Sequence, residues 1–328
     1  WRFIMNKIFM ATTAVIMACL SLVSCGKKED LPLVAIANYG PNASLDASMR
    51  GAKAELADQG FIEGKTVRYE IVDVGFDASL ISQMITKLRS LKPKVMLVKT
   101  TPAAQFAKGK IQDVPLVFCD IMDPVSADLL KDESHSCGNV TGSSDRDDLE
   151  PFLIFAKTLL PHAKSVGLLY STSESNDAAL VKMMKETAAR VGLAVVAVPV
   201  DQSRDVPIRV QEFNRKVDFI YVGTSGPIQP ALPTIASEAQ KMGIPVFNAE
   251  DQAVRDGLAL ASFGVSYESV GRNAGKLVAK LLKGASVKDL PPIFPKAEDY
   301  RCFVNKKLAK KFGIKIPENV VVVGGEQK

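Results

Sequence analysis

Histidine is nearly absent from this 328-residue sequence, which contains only His135 and His162. Neither stands near a candidate nucleophile or at metal-ligand spacing from cysteines and acids, so no catalytic pair and no metal site is expected. No glycine-rich loop opens a helix, because Val323-Gly324-Gly325-Glu326 lies at the end of the chain with no helix after it. Nucleotides that depend on such a loop are therefore not expected either. We predict a protein that is not an enzyme and uses no cofactor.

A surplus of one kind of charge is also lacking. The chain has 41 Lys and Arg against 36 Asp and Glu, and no basic block is interleaved with aromatic side chains. Because nucleic-acid-binding proteins need a basic surface, this balance argues against a nucleic-acid partner. The apolar fraction of 47% is sufficient for sizeable cores, and the length suits two domains of roughly 100–200 residues.

The apolar run over residues 8–23 is too short for a membrane-spanning helix, which needs about 20 residues. It follows Lys7 and ends in Leu22-Val23-Ser24-Cys25, and such an arrangement is typical of a secretory signal. Leu22-Val23-Ser24-Cys25 resembles the bacterial lipoprotein box, which implies that Cys25 is lipidated after residues 1–24 are removed. An ordinary signal with a chance cysteine is the alternative. We expect an exported protein, lipid-anchored on the periplasmic or outer face of a bacterial membrane.

Three cysteines follow Cys25, namely Cys119, Cys137 and Cys302. An exported chain meets an oxidising compartment, and an odd number of thiols does not pair completely within one chain. Because Cys119 and Cys137 both fall near residues 139–145, the predicted crossing between two lobes, one hypothesis is that they form a disulfide. Three free buried thiols are the alternative.

The remaining sequence alternates short apolar runs with helical patterns. Strands are predicted at residues 33–37, 67–72, 95–98, 114–118, 165–170, 193–198, 218–222, 244–247 and 258–263, with an edge strand at 320–323. Helices between successive strands indicate parallel sheets with right-handed crossovers. A strongly amphipathic helix is predicted from Tyr267 to Leu282, and a small helix over residues 306–312.

The two halves of the chain match in three places, in the same order. The pairs are Ser44-Leu45-Asp46-Ala47 with Ser175-Asn176-Asp177-Ala178, Thr100-Thr101-Pro102 with Thr224-Ser225-Gly226-Pro227, and Val114-Pro115-Leu116-Val117-Phe118 with Ile244-Pro245-Val246-Phe247. Three matches in register favour an internal duplication, with chance convergence as the alternative. The predicted fold class is α/β: two similar Rossmann-like lobes with parallel sheets, joined by two or three crossing strands.

The stretch Asn139-Val140-Thr141-Gly142-Ser143-Ser144-Asp145 stands between the halves and is predicted to be the first crossing, with a bend at Gly142. The first lobe is assigned residues 25–142 and 263–285. The second lobe is assigned residues 143–262 and 286–328.

Ligands of open parallel sheets bind beyond the carboxyl ends of the strands, so two facing lobes would share one cleft. The candidates at these ends, with two from the crossing, are Tyr39, Thr100, Thr101, Asp120, Ser143, Asp145, Asn176, Thr224, Ser225, Glu250 and Asp251. Helix capping is the alternative role for each of them.

This set is rich in hydroxyls and carboxylates and poor in cations. Thr100-Thr101 and Thr224-Ser225 stand where helices begin, and helix N-termini favour anions. Asp145 or Glu250 is suited to a cationic group. One anion-binding end and one acidic end together predict a zwitterionic ligand, that is, an amino acid.

Several motifs then resemble one family. They are Leu22-Val23-Ser24-Cys25, Asp123-Pro124, the crossing from Asn139 to Asp145, Gly264-Val265-Ser266-Tyr267 leading into Gly271-Arg272-Asn273-Ala274-Gly275-Lys276, and residues 304–318. Together they resemble the substrate-binding lipoproteins of ABC transporters, of the tryptophan or aromatic amino-acid type. The resemblance implies a type I periplasmic-binding-protein fold whose lobes close on one small ligand. It also implies ligand contacts from Thr100, Thr101, Ser143, Asp145, Asn176, Thr224 and Ser225.

The sequence therefore predicts an extracytoplasmic solute-binding lipoprotein that delivers an amino acid, aromatic or apolar in its side chain, to an ABC permease. A sugar or nucleoside carrier and a ligand-sensing ectodomain on the same fold are the alternatives. A hydrolase or isomerase on this scaffold is disfavoured because no base is positioned for it.

Overall fold

The computed structural model describes residues 31–324, and residues from Pro32 onward form one compact unit. The predicted signal peptide, residues 1–24, and the lipidation site Cys25 lie outside the described residues. Within the described part of the chain no helix is both long enough and apolar enough to cross a membrane.

The first lobe contains a five-stranded sheet with all neighbouring strands parallel. Its strands are β1 (Leu33–Asn38), β2 (Arg68–Asp73), β3 (Val95–Lys99), β4 (Leu116–Cys119) and β5 (Val140–Ser143). Its helices are α1 (Ala43–Asp58), α2 (Ile81–Ser90) and α3 (Thr101–Lys110). The strand order is β2-β1-β3-β4-β5, with α1 packed on one face of the sheet and α2 and α3 on the other.

The second lobe contains a seven-stranded sheet in the order β12-β11-β10-β9-β8-β6-β7. Its strands are β6 (Ser165–Ser171), β7 (Ala194–Val200), β8 (Phe219–Val222), β9 (Val246–Asn248), β10 (Ala261–Val265), β11 (Tyr300–Asn305) and β12 (Val321–Val323). The helices of this half of the chain are α4 (Leu149–Leu159), α5 (Ser175–Arg190), α6 (Val206–Val210), α7 (Leu232–Lys241), α8 (Asp251–Arg255), α9 (Tyr267–Leu282) and α10 (Lys306–Lys311).

The first five strands of each half have the same order in space, because β7-β6-β8-β9-β10 repeats β2-β1-β3-β4-β5. The α/β class with two similar lobes is therefore confirmed. One strand pairing departs from the expectation of parallel sheets. Strand β11 pairs with β10 in antiparallel register, and β12 then pairs parallel to β11 at the sheet edge.

Apolar side chains cover both faces of each sheet, which is why the central strands are continuous hydrophobic runs. This arrangement corrects the disulfide hypothesis, since the described cysteines are free. Cys119 lies on the sheet face that α9 covers, whereas Cys137 packs against the opposite face. The sheet separates the two thiols.

Gly142 does not bend the chain as expected, because it lies inside β5. A Cβ at this position would come within 2.4 Å of the Phe118 carbonyl oxygen and 2.3 Å of the Phe118 ring. Glycine is needed there for the close approach of β4 and β5 rather than for a turn.

Helix α9 follows β10 of the second sheet directly, yet it packs on α1 of the first lobe. Glycines allow this contact, since a Cβ on Gly271 would lie 1.9 Å from the Ser48 carbonyl oxygen and one on Gly51 would lie 2.1 Å from that of Glu268. The two helix backbones therefore touch.

Three segments connect the lobes. The first runs from β5 into α4, and the second runs from β10 into α9. The third runs beside β5, where Ile293 exchanges backbone hydrogen bonds with Gly142 and Ser144, before the chain enters β11. The exact lobe boundaries given above remain a prediction.

Candidate functional site

A cavity lies between the carboxyl ends of the two sheets, with an empty volume of about 650 Å³ including the part open to solvent. Eight of the residues predicted from the sequence line it: Tyr39, Thr100, Thr101, Asp120, Asp145, Asn176, Thr224 and Glu250. They come from both lobes and from the first crossing, as the strand-end rule requires.

Three predicted residues do not line this cavity. Ser143 is buried in β5, and Ser225, next to Thr224 in the chain, is buried outside the cavity lining. Asp251 begins α8, and its carboxylate forms an ion pair of 2.8 Å with Arg255 one turn later. Asp251 thus stabilises its own helix instead of facing the cleft.

The first-lobe wall is formed by the start of α3. Thr100 has φ of 71° and ψ of 156°, a conformation that is essentially reserved for glycine. This turn directs the N-terminus of α3 at the cavity, and Thr100 makes no side-chain capping hydrogen bond. The free N–H groups and the helix dipole make this wall favourable for an anion.

Asp120 lines the cavity but is already paired. Its carboxylate accepts a hydrogen bond of 2.7 Å from Ser48 and lies 3.5 Å from the ammonium group of Lys99. Lys99 is completely buried and also donates to the carbonyl oxygen of Leu45. Burial raises the pKa of Asp120, and the Lys99 charge opposes this effect. These contacts indicate that the opposite charges of Asp120 and Lys99 neutralise each other within the wall of the cavity.

The crossing end of the cavity contains several buried carboxylates. Asp145 Oδ2 accepts a hydrogen bond of 3.0 Å from the hydroxyl of Tyr267, and Asp147 Oδ2 accepts one of 2.7 Å from Tyr221. Burial raises the pKa of Asp145 well above its usual range, and the nearby charge of Asp120 raises it further. Burial also raises the pKa of Asp147 to about 6 and that of Glu250 to about 7. A cationic group is therefore strongly favoured at this end.

The opposite end of the cavity combines acids with aromatic rings. Glu174 precedes α5 and accepts hydrogen bonds at Oε2 from the Gly226 N–H at 3.2 Å and from Asn176 at 3.3 Å. The rings of Tyr39 and Phe76 meet edge to face there, with centroids 5.6 Å apart. Burial raises the pKa of Tyr39, and the neighbouring Glu174 charge adds to it, so the hydroxyl stays protonated.

Contacts across the cleft show that the lobes are closed on each other. The Ser175 hydroxyl of the second lobe donates to Gln105 Oε1 on α3 at 3.2 Å. Tyr39 of the first lobe lies against the second lobe, because a Cβ on Gly226 would come within 2.8 Å of its ring.

Four buried oxygens that line the cavity have no hydrogen-bond partner within the described chain. They are Thr100 Oγ1, Asp145 Oδ1, Glu174 Oε1 and Asn176 Oδ1. Buried polar atoms are normally paired, so unpaired ones in a cavity indicate atoms that bind a ligand. Within residues 31–324 the acids and cysteines nowhere converge as metal ligands would.

Several cavity residues were not predicted from the sequence, among them Ser44, Phe76, Asp147, Glu174 and Tyr267. The sequence contained a pattern from which two of them could have been predicted. Asp147 is two residues beyond Asp145 on an extended segment, where alternate side chains face the same way. Glu174 occupies the cap position of α5 that Asn42 occupies at α1 in the first half.

Two α/β lobes that close on one enclosed polar cavity define a solute-binding protein of the type I periplasmic-binding-protein fold. The chain belongs to the ABC transporter substrate-binding protein family, whose model matches residues 33–328. This is a family of transport proteins and not of enzymes, and membership implies a location outside the cytoplasm.

Relatives of known structure or function agree with this assignment. The tyrosine-binding protein of Clostridioides difficile (strain R20291) is 31% identical over 258 residues, which cover 79% of this chain and 74% of that protein. A crystal structure of an ABC domain in complex with L-Trp from Streptococcus pneumonia has a TM-score of 0.84 and 29% identity, covering 89% of this chain and 99% of that one.

A ligand-free, open substrate-binding protein of Clostridium difficile has 30% identity and similar coverage, 90% of this chain and 100% of that one, but a TM-score of only 0.70. The two structures are about equally related in sequence, so the higher score to the L-Trp complex agrees with the closed arrangement seen here.

Proposed function

We propose that this chain is a lipid-anchored substrate-binding protein whose ligand is an amino acid with an aromatic or apolar side chain. The observation that carries the proposal is that one closed cavity is lined both by a helix start that favours an anion and by a carboxylate that favours a cation. The start of α3 offers free N–H groups to a carboxylate, and Asp145 offers an unpaired carboxylate oxygen to an ammonium group.

The remaining lining suits a flat apolar side chain. Tyr39 and Phe76 supply rings, and Leu45, Met122 and Leu180 supply aliphatic surface. Aromatic ligands gain from such walls through burial and through edge-to-face contact. The relatives support this choice, since one is a tyrosine-binding protein and another was crystallised with L-Trp.

Closure is the step that traps the ligand. In this proposal the ammonium group binds Asp145 at the crossing while the carboxylate binds the first-lobe helix, and the second lobe then covers both. The closed form would be recognised by a membrane permease, to which the ligand is delivered. Lipidation of Cys25 would keep the protein at the membrane surface near that permease.

Isothermal titration calorimetry tests the ligand class. The full-length lipoprotein, freed of bound small molecules by unfolding and refolding, is titrated with each of the twenty L-amino acids, with glucose and with adenosine. We expect binding by at least one aromatic amino acid, and a free energy of unfolding higher by about 2.7 kcal/mol at 100 times its Kd. Binding of glucose or adenosine but of no amino acid would overturn the proposal.

The anchor is tested separately. Wild-type protein and the Cys25→Ser variant are compared by membrane fractionation and intact mass. We expect the wild type in the membrane fraction with the added mass of its acyl chains, and the variant in the soluble fraction. Equal fractionation of the two would show that Cys25 does not anchor the chain.

A further inference from the structure

We infer that the side chain of the bound amino acid carries a hydrogen-bond donor, an indole N–H or a phenol O–H, and that Glu174 receives it. This inference rests on the proposed function and narrows it. In this inference Glu174 makes the site prefer tryptophan or tyrosine over phenylalanine and aliphatic amino acids.

The first step is that the cavity has acidic groups at two separate ends. Asp145 interacts with Asp120 and Asp147 at the crossing, whereas Glu174 interacts with Asp177 and Tyr39 at the far end. Each end has one carboxylate oxygen that is buried, faces the cavity and has no partner within the described chain: Asp145 Oδ1 and Glu174 Oε1.

The second step is a count of donors. The backbone part of an amino acid offers one ammonium group, which lies next to the carboxylate of the same ligand. It can therefore donate hydrogen bonds at only one end of the cavity. Asp145, Asp147, Asp120 and Glu250 all act on Tyr267 at the crossing, and Asp145 has an unpaired oxygen there, so we assign the ammonium group to Asp145. The Tyr39 hydroxyl acts on the same carboxylate, but Glu174 Oε1 makes no hydrogen bond within the described chain and is open to another part of the ligand.

The third step is the surroundings of Glu174. The residue is 6% exposed, and its Oε2 is held by Gly226 and Asn176 while Oε1 remains unpaired. A Cβ on Gly226 would come within 2.6 Å of Oε1, so glycine preserves the space beside this oxygen. Tyr39 and Phe76 contact each other at the same end, where together they would form one wall against an aromatic side chain.

These three steps give one chemical requirement. An aromatic side chain packed against these two rings brings its outer edge towards Glu174, and a donor on that edge completes the hydrogen bonds of Oε1. Phenylalanine fills the same space without a donor and leaves a buried acceptor unpaired. Sites built to bind a hydroxyl or N–H discriminate strongly against analogues that lack it.

The experiment measures Kd for L-Trp, L-Tyr and L-Phe by calorimetry with the full-length protein and with Glu174→Gln. We expect L-Phe to bind wild type at least about 10-fold more weakly than the better of the other two. In Glu174→Gln this ratio should fall to about threefold or less, while the Kd for L-Phe changes little. The matched control is Glu186→Gln, on an exposed face of the same helix, which should leave all three constants unchanged.

The outcomes separate the two proposals. Equal affinity of the wild type for all three amino acids would overturn the inference and leave the proposed function intact; it needs no variant, so a folding defect in Glu174→Gln does not affect it. An equal loss of affinity for all three in Glu174→Gln would also overturn it, because Glu174 would then bind the ammonium group. Binding of no amino acid would overturn both proposals.

Discussion

Tyr267 and Asp145 are 122 positions apart in the chain, and a buried hydrogen bond of 3.0 Å joins the Tyr267 hydroxyl to Asp145 Oδ2. Asp145 belongs to the first crossing between the lobes, and Tyr267 is the first residue of α9, directly after the second. The bond therefore ties two crossings together beneath the cavity. Asp145 holds this bond with one oxygen and directs the other at the ligand space.

Tyr267→Phe should weaken both the fold and ligand binding. The variant keeps the ring but leaves a second oxygen of a buried carboxylate without a donor, at a cost of about 1–3 kcal/mol. Urea unfolding and calorimetry with L-Trp are the measurements. Tyr170→Phe, in β6 and outside the cavity lining, is the control and should change neither. Unchanged stability and affinity in Tyr267→Phe would contradict this role.

Thr100→Gly should raise the stability of the protein and weaken ligand binding. Relief of the strained backbone, worth about 1–3 kcal/mol, exceeds the entropy that glycine adds to the unfolded chain, so the free energy of unfolding should rise by roughly 1 kcal/mol. Loss of Oγ1 should weaken ligand binding about two- to tenfold. Thr100→Ser keeps the hydroxyl and should retain affinity without gaining stability. A less stable Thr100→Gly variant would show that the threonine side chain outweighs the strain.

Gly271→Ala and Gly109→Ala should have opposite effects. At Gly271 a Cβ would lie 1.9 Å from a backbone oxygen of α1, so the helices must separate, at about 1–3 kcal/mol or more. At Gly109, inside α3, a Cβ would meet no atom within 4 Å, and alanine should stabilise the helix by roughly 0.5–1 kcal/mol. Chemical denaturation checks both, and a neutral Gly271→Ala would refute the close helix contact.

Stability of the ligand-free protein should fall as the pH rises from about 4 to about 7. Burial raises the pKa of Asp147 to about 6 and those of Asp177 and Glu250 to about 7, from ordinary values near 4. In this window the native state binds more protons than the unfolded chain, so each group lowers the free energy of unfolding by up to about 1.4 kcal/mol per pH unit.

The measurement is Tm between pH 4.5 and 8, with a higher Tm expected at the acidic end. Asp147→Asn should flatten the profile, whereas Glu186→Gln, on the exposed surface, should leave it unchanged. A Tm that rises steadily with pH over this range would show that the pKa values of these acids are not raised in the native protein.

All three cysteines after Cys25 should react as free thiols. Alkylation of the denatured protein without reductant, followed by mass spectrometry, should find label on Cys119, Cys137 and Cys302. In the native protein Cys119 should react most slowly, because it is buried beneath α9 and burial raises its pKa. Recovery of a linked Cys119–Cys137 peptide would contradict the separation of these residues by the sheet.

The sequence was most informative where one physical rule determined the structure. The helix from Tyr267 to Leu282 was predicted with the bounds that the structure has, because its apolar positions repeat at helical spacing between a serine cap and a glycine stop. Thr100, Asp145 and Glu250 were predicted from the strand-end position of ligands in parallel sheets, and all three line the cavity.

The failures have physical causes as well. Strand β11 was missed because its partner β10 is remote in sequence and antiparallel to it, so no βαβ pattern marks it. Gly142 was assigned to a bend because a single sequence does not reveal that a neighbouring strand approaches it closely. The role of Glu174 depends on Gly226 and Asn176 holding one oxygen and leaving the other unpaired, a tertiary fact that no local motif encodes.

The backbone contact between α1 and α9 has a mechanical consequence. Because Gly51 and Gly271 let the two helices touch, α9 does not turn on its own axis without carrying α1 with it. The short link from Val265 to Tyr267 then acts as a hinge, because α9 moves with the first lobe while β10 moves with the second. Rotation of the second sheet about this link therefore changes the angle between the two lobes. We therefore expect the lobes to open by rotation about this hinge in one main direction.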